Sequence, residues 1–83
     1  LKNKRSILYV EDNVSNRTLV EAIIQRQPDL RIHSVTTIKD AKQYLTERIP
    51  SLLLLDLNLP DGSGEVLVSY MQSEAKYQDI PIM

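Results

Sequence analysis

Short apolar runs, each ending in polar residues, organise this sequence. Ile7–Val10 and Leu52–Leu55 are continuous apolar runs, and acidic residues follow both of them. Runs of this length are typical of strands that are buried on both faces of a parallel sheet. Leu30–Val35 mixes apolar and polar positions, which predicts a strand at the edge of the sheet. Ile80–Met83 has the composition of the start of a fourth strand.

Between the predicted strands, apolar residues recur at helical spacing and indicate three helices. Their apolar positions are, in chain order, Leu19, Val20, Ile23 and Ile24; Ile38, Ala41, Leu45 and Ile49; and Val66, Leu67, Tyr70 and Met71. Asn13 or Ser15 can cap the first helix, which we expect to stop near Gln27. Thr37 and Asp40 form a capping box for the second helix. Alternating strands and helices predict an α/β fold with a parallel sheet and helices on both faces.

Composition narrows the classes of function. The 83 residues suffice for one small domain, and 42% hydrophobic with 25% charged residues is ordinary for a globular protein. The net charge of −1 leaves no broad basic surface for nucleic acid. The absence of cysteine excludes disulfides, thiolate zinc sites and cysteine nucleophiles. No apolar run approaches the roughly 20 residues of a membrane span, and no signal peptide is recognisable.

Candidate chemistry lies where the two apolar strands end. Glu11 and Asp12 follow the first of these strands, and Asp56 follows the second. If the strands are neighbours, the three carboxylates converge, and they repel each other unless a cation is present. Carboxylate oxygens suit Mg²⁺ (or Mn²⁺), so the group indicates a magnesium-assisted reaction of a phosphoryl group. Each acid taken alone is also compatible with a simple helix cap.

The segments Ile7–Asn13 and Leu54–Gly64 are similar to the receiver domain of two-component response regulators. Asp79–Met83 is similar to that family's approach into its fourth strand. The resemblance implies a flavodoxin-like, doubly wound parallel sheet that is truncated after the start of the fourth strand. The charged stretch of residues 1–5 is expected to be a linker or an artificial remnant. Residues 6–83 would then be a partial receiver domain whose last third is absent.

Carried over position by position, the resemblance implies that Asp56 is the phosphoacceptor. Glu11 and Asp12 match the acidic pair that, together with Asp56, organises Mg²⁺ (or Mn²⁺). Asn58 matches the position whose backbone carbonyl serves the metal. The loop after the acceptor is then shaped by Pro60, Gly62 and Gly64, and the glycines permit backbone angles that are closed to other residues.

The resemblance also implies partners and a location. The phosphoryl donor would be a sensor histidine kinase or a histidine phosphotransfer domain. An output or kinase domain attached in the parent protein would receive the signal as a conformational change. No direct contact with nucleic acid or membrane is expected, the location is cytoplasmic, and a stand-alone enzyme is not expected. The family's Thr or Ser, aromatic and Lys residues lie beyond Met83, and the fragment is expected to dimerise or swap through the exposed flank of its sheet.

Two alternatives have weaker support. A Mg²⁺-dependent phosphohydrolase of the haloacid-dehalogenase type needs a second aspartate two residues after the first, where this chain has Asn58. A receiver used only for docking, without phosphorylation, does not need the three acids that are present. Among other polar residues, His33 is expected on the surface. Arg17 has the alternative of facing the acidic cleft from the start of the first helix, but a solvated helical charge is expected. Helix-face or rim positions are expected for Tyr44, Tyr70 and Tyr77.

Overall fold

Three parallel strands form the central sheet of the computed structural model, which describes residues 5–83. They are β1 (Arg5–Val10), β2 (Leu30–Val35) and β3 (Leu52–Leu55), in the order β2-β1-β3. The apolar runs therefore occupy the centre, and the mixed strand β2 lies beside β1 at an edge, as predicted. Of the linker predicted for residues 1–5, residues 1–4 lie outside the described part of the chain and Arg5 begins β1.

The predicted start of a fourth strand lies beside β3. Leu53 and Ile82 form a parallel bridge. The Leu53 amide donates to the Pro81 carbonyl at 2.9 Å, and the Met83 amide donates to the Leu53 carbonyl at 2.8 Å. The parallel order β2-β1-β3 therefore continues into residues 81–83.

Helices α1 (Val14–Gln25), α2 (Ile38–Glu47) and α3 (Gly64–Gln72) connect these strands. A side chain caps each of them, because the first N–H groups of a helix lack partners within it. The capping residues are Asn13 for α1, Thr37 for α2 and Ser63 for α3. A short antiparallel pair, β4 (Asn58–Leu59) and β5 (Gly62–Ser63), lies between β3 and α3. In the described chain, no helix has the length and apolar character that crossing a membrane requires.

The core lies between the sheet and the pair α2–α3. Its fully buried side chains include Leu8, Val10, Ala41, Leu45, Leu53, Leu67 and Met71. Tyr77, in the 3-10 turn Ala75–Tyr77, also belongs to this core, so its expected place on a helix face or rim was wrong. Its hydroxyl donates to the Leu45 carbonyl at 3.0 Å, which supplies the hydrogen bond that a buried tyrosine needs.

The opposite face of the sheet is covered differently. No residue of α1 is buried, and Leu19 and Ile23 are 63% and 53% exposed. Val20 and Ile24 are half-buried, so only part of the predicted apolar stripe contacts the protein.

Ile49 is also exposed, at 53%, because α2 ends at Glu47 and the following backbone is extended. Its predicted place on the α2 stripe was therefore wrong.

Candidate functional site

Three acidic residues meet at the carboxyl ends of β1 and β3. Val10 pairs with Leu55 across these strands, and the Asp56 amide donates to the Val10 carbonyl at 3.0 Å. The next residues along each strand are therefore adjacent in space. One carboxylate oxygen from each of Glu11, Asp12 and Asp56 lies within 4.8 Å of the others. The fold thus brings together the three acids that the sequence placed at separate strand ends.

Glu11 is the acid that the protein holds most firmly. Its side chain is only 7% exposed, and both of its carboxylate oxygens accept hydrogen bonds. The Tyr9 hydroxyl donates to Oε1 at 3.4 Å, and the Asn13 amide donates to Oε2 at 3.2 Å. Burial, and next the charge of Glu11, raise the pKa of Tyr9, so this hydroxyl keeps its proton and remains a donor. The orientation of Glu11 is therefore set from within the fold.

Asp56 is held by the loop that follows it. Its side chain is half-buried, and its Oδ1 accepts the Asn58 amide at 3.2 Å. Asp12 is exposed, so the group opens to solvent on that side. Asn58 is the first residue of β4 and lies directly beside the acids, while its carbonyl as a metal ligand stays a prediction.

The loop after Asp56 is a tight hairpin in which Pro60 and Asp61 connect β4 to β5. Gly62 has φ +144°, a backbone angle that side chains strongly disfavour. At Gly64 the constraint is space, because an added Cβ would lie 2.5 Å from the Asp56 carbonyl oxygen. The two glycines of the chain therefore serve different needs: one the turn, and the other a close approach to the backbone of Asp56.

Two further residues support the site and were not assigned to it from the sequence. Arg17, expected to be solvated, donates from its guanidinium to the Glu11 carbonyl at 2.9 Å. Asp61, which lies in the loop between Pro60 and Gly62, accepts the amides of Ile38 and Lys39 at 2.9 and 3.1 Å. Arg17 is one helical turn from the acids, so its proximity was a usable signal. The pairing of Asp61 with α2 spans more than 20 residues and had no local signal.

The arrangement fits a divalent cation with oxygen ligands. Two oxygens on opposite sides of Mg²⁺ lie about 4.1 Å apart, since each is about 2.0–2.1 Å from the ion. The 4.8 Å limit on the three carboxylates exceeds that span only by an amount that side-chain rotation can close. Without a cation, three clustered negative charges repel each other, and Arg17 offers one nearby positive charge. The donor set therefore matches Mg²⁺ or Mn²⁺.

A groove of about 520 Å³ lies elsewhere, between β2 and α2. His33 and Tyr44 line it, with their ring centroids 4.9 Å apart. His33 is exposed on the edge strand, as expected. None of the three acids lines this groove, so it has no direct part in their chemistry.

Comparison with known proteins identifies the family. The model of the response regulator receiver domain matches residues 7–83. The transcriptional regulatory protein GltR of Pseudomonas aeruginosa is 36% identical over 81 residues, which cover 98% of this chain and 33% of that protein. Response regulator Rre1 of a Synechocystis strain is 24% identical over 78 residues, 94% of this chain and 34% of that protein. The chain thus spans about a third of the length of these curated relatives.

Solved structures agree with this assignment. The phosphorylated cyanobacterial phytochrome response regulator RcpA superposes with a TM-score of 0.89 at 26% identity, over 95% of this chain and 62% of that one. The MaeR response regulator bound to beryllium trifluoride gives a TM-score of 0.83 at 29% identity, over 95% and 64%. They confirm the predicted flavodoxin-like receiver fold. Residues 7–83 therefore place this chain in the response regulator receiver domain family of two-component signalling.

Proposed function

We propose that Asp56 accepts a phosphoryl group from a phosphohistidine. The donor is a sensor histidine kinase or a histidine phosphotransfer domain, and the signal passes to an attached output or kinase domain in the parent protein. The observation that carries the proposal is the meeting of the Glu11, Asp12 and Asp56 carboxylates at the ends of two paired strands. Two structural relatives support it, since RcpA is phosphorylated and MaeR binds beryllium trifluoride.

The transfer is a displacement at phosphorus. A carboxylate oxygen of Asp56 attacks in line with the P–N bond of the phosphohistidine, and a P–O bond forms as the P–N bond breaks. The electron pair leaves with the imidazole nitrogen. Because the Asn58 amide holds Oδ1 of Asp56, rotation of this carboxylate is restricted and its other oxygen is left to attack. Water later cleaves the acyl phosphate, which restores the Asp56 carboxylate and releases inorganic phosphate.

The residues that would hold Mg²⁺ (or Mn²⁺) are Glu11, Asp12, Asp56 and the backbone carbonyl of Asn58. When bound, the ion supplies positive charge that offsets the negative charge of the transferring oxygens. Glu11 reaches the site already oriented by Tyr9 and Asn13, which lowers the reorganisation that ligand binding requires. Exposed Asp12 leaves an open side through which the phosphoryl donor approaches.

The test uses the full-length protein that contains these residues, incubated with Mg²⁺ and acetyl phosphate. Asp56→Asn is the decisive variant, because it keeps the shape of the side chain and removes the nucleophile. Asp29→Asn is the matched control, since Asp29 precedes β2 and therefore lies at the opposite end of the sheet. We expect the wild type and Asp29→Asn to be labelled, and Asp56→Asn and a chelator-treated sample to remain unlabelled.

Equal labelling of Asp56→Asn and the wild type would overturn the assignment of Asp56. Unchanged labelling after removal of the divalent metal would contradict the role of the three acids as ligands. Steady turnover of many different phosphate esters would favour the haloacid-dehalogenase type of hydrolase instead. No labelling of the wild type by any donor would favour a receiver that acts only by docking.

A further inference from the structure

Asp61 joins the loop of Asp56 to the start of α2. Its Oδ1 accepts the Ile38 amide at 2.9 Å and its Oδ2 accepts the Lys39 amide at 3.1 Å. These two amides are the first of α2 and have no acceptor within the helix. The carboxylate of Asp61 therefore caps the N-terminus of a helix that starts 23 residues earlier in the chain. We call this pair of hydrogen bonds the Asp61 clamp.

The clamp does not duplicate the local cap of α2. Thr37 accepts the Asp40 amide at 3.0 Å through its side-chain oxygen, and its carbonyl accepts the Ala41 amide. Asp61 takes the two amides that Thr37 leaves unused. The hydrogen bonds of Thr37 go to α2 itself, whereas those of Asp61 connect the helix to the hairpin.

The hairpin between Asp56 and Gly64 is held at both ends. Beside the clamp, a Cβ added to Gly62 would lie 3.3 Å from Cδ1 of Ile38, so the turn packs closely on the first residue of α2. At the other end, the Gly64 amide donates to the Leu57 carbonyl at 2.8 Å, and Gly64 lies against the Asp56 backbone. The turn is therefore attached to α2 at one end and to the backbone beside Asp56 at the other.

Electrostatics favour the charged form of Asp61. The amides of Ile38 and then Lys39 outweigh partial desolvation and hold the pKa of this carboxyl below its usual value. Lys42 on the same helix acts in the same direction. The start of a helix carries partial positive charge, which also attracts a carboxylate. The clamp is thus formed by an ionised group at neutral pH.

We propose that Asp61 is a positioning residue for phosphorylation. Through the clamp it fixes the hairpin, and with it the Asn58 amide that holds Oδ1 of Asp56. This inference rests on the proposed function of Asp56 as the acceptor. Small displacements of a reacting group are costly, so loss of the clamp slows phosphorylation about tenfold, since a misplacement of about 1 Å can cost as much as about a hundredfold.

The experiment compares three variants of the full-length protein. Asp61→Ala removes both hydrogen bonds, and Asp61→Asn keeps one carbonyl oxygen as an acceptor. Thr37→Ala is the matched control, because it removes a hydrogen bond at the same helix end whose partner is Asp40 and not the hairpin. For each variant we measure the urea midpoint, the hydrogen exchange of the Asn58 amide, and the rate of phosphorylation by acetyl phosphate with Mg²⁺.

We expect Asp61→Ala and Thr37→Ala both to lower the urea midpoint. Only Asp61→Ala should accelerate exchange at Asn58 and slow phosphorylation about tenfold, with Asp61→Asn in between. A rate in Asp61→Ala within twofold of the wild type would overturn the proposal. So would an equal slowing in Thr37→Ala, because helix stability alone would then explain the effect.

The two proposals fail in distinguishable ways. If wild-type protein is never labelled at Asp56, the proposed function fails and exchange at Asn58 alone decides on the clamp. Faster exchange in Asp61→Ala than in Thr37→Ala then supports the clamp, and equal exchange overturns it.

Discussion

The two faces of the sheet carry helices with similar apolar patterns and very different burial. Helix α2 buries Ile38, Ala41 and Leu45, whereas α1 buries no residue and exposes Leu19 and Ile23. Helix α2 packs against both the sheet and α3, while α1 packs mainly along β2 within the described chain. Periodicity therefore identifies the positions that can face a neighbour, and the number of neighbouring elements decides how many of them are buried.

The sharpest test of this comparison removes the same atoms from each helix. Leu45→Ala should lower the free energy of unfolding by about 2–5 kcal/mol, because Leu45 is 1% exposed and leaves a cavity. Leu19→Ala should change it by less than about 0.5 kcal/mol, because Leu19 is already in contact with solvent. Urea unfolding measures both values. Similar losses in the two variants would show that α1 is covered in solution.

A smaller effect is expected from the buried hydroxyl on the α2–α3 face. Tyr77→Phe should cost about 0.5–1.5 kcal/mol, since it removes the hydrogen bond to the Leu45 carbonyl and keeps the ring. Tyr44→Phe is the control, because Tyr44 is only half-buried and its ring lies tilted against that of exposed His33. Thermal unfolding of the two variants gives the comparison. A larger loss in Tyr44→Phe would contradict the placement of the core.

The smallest expected effect is on the pH dependence of stability, which should differ between the starts of α2 and α1. A carboxyl whose pKa is lowered by folding stabilises the folded state at pH values above its pKa in the unfolded chain. This stabilisation is lost as the pH falls through the lower pKa of the folded state. Asp61 at the start of α2 is such a group, and the neighbouring charges are Lys39 and Lys42. The start of α1 is capped by the amide side chain of Asn13, which does not titrate.

Nuclear magnetic resonance can follow this difference through backbone amides between about pH 7 and about pH 2. The signals of Ile38 and Lys39 should shift as Asp61 takes up a proton, and in Asp61→Asn this shift should disappear. The Asn16 amide, bonded to Asn13, is the internal control at the start of α1. A shift in Ile38 that persists in Asp61→Asn would assign the titration to another group.

The sequence predicted most of the fold because its central strands are short apolar runs that end at acidic residues. The runs Ile7–Val10 and Leu52–Leu55 are buried or half-buried, and the caps at Asn13 and Thr37 lie where local rules placed them. Two of the errors concern Ile49 and Tyr77. Ile49 continues the apolar pattern beyond the actual end of α2, and Tyr77 depends on a carbonyl 32 residues away. Sequence periodicity describes one element at a time, so neither outcome was visible in it.

The candidate site followed the same division. The proximity of Glu11, Asp12 and Asp56 could be predicted from their positions after the strands, because neighbouring parallel strands end at the same edge of a sheet. Of the residues that contact the site, Arg17 was near enough in sequence to Glu11 to be considered. Asp61 bonds to the backbone amides of Ile38 and Lys39, and such bonds leave no signature in the identity of the partner residues. The acids were thus accessible to reasoning from sequence, whereas the contact between Asp61 and α2 required the structure.

The hydrogen bond from Tyr9 to Glu11 also gives the protein an optical probe of its own. The chain has no tryptophan and only four tyrosines, so its ultraviolet fluorescence comes from tyrosine. A carboxylate that accepts a bond from a phenol quenches the emission of that phenol. Any event that draws Glu11 away from Tyr9 should therefore brighten the protein, and Tyr9→Phe would identify the part of the signal that originates beside the acids.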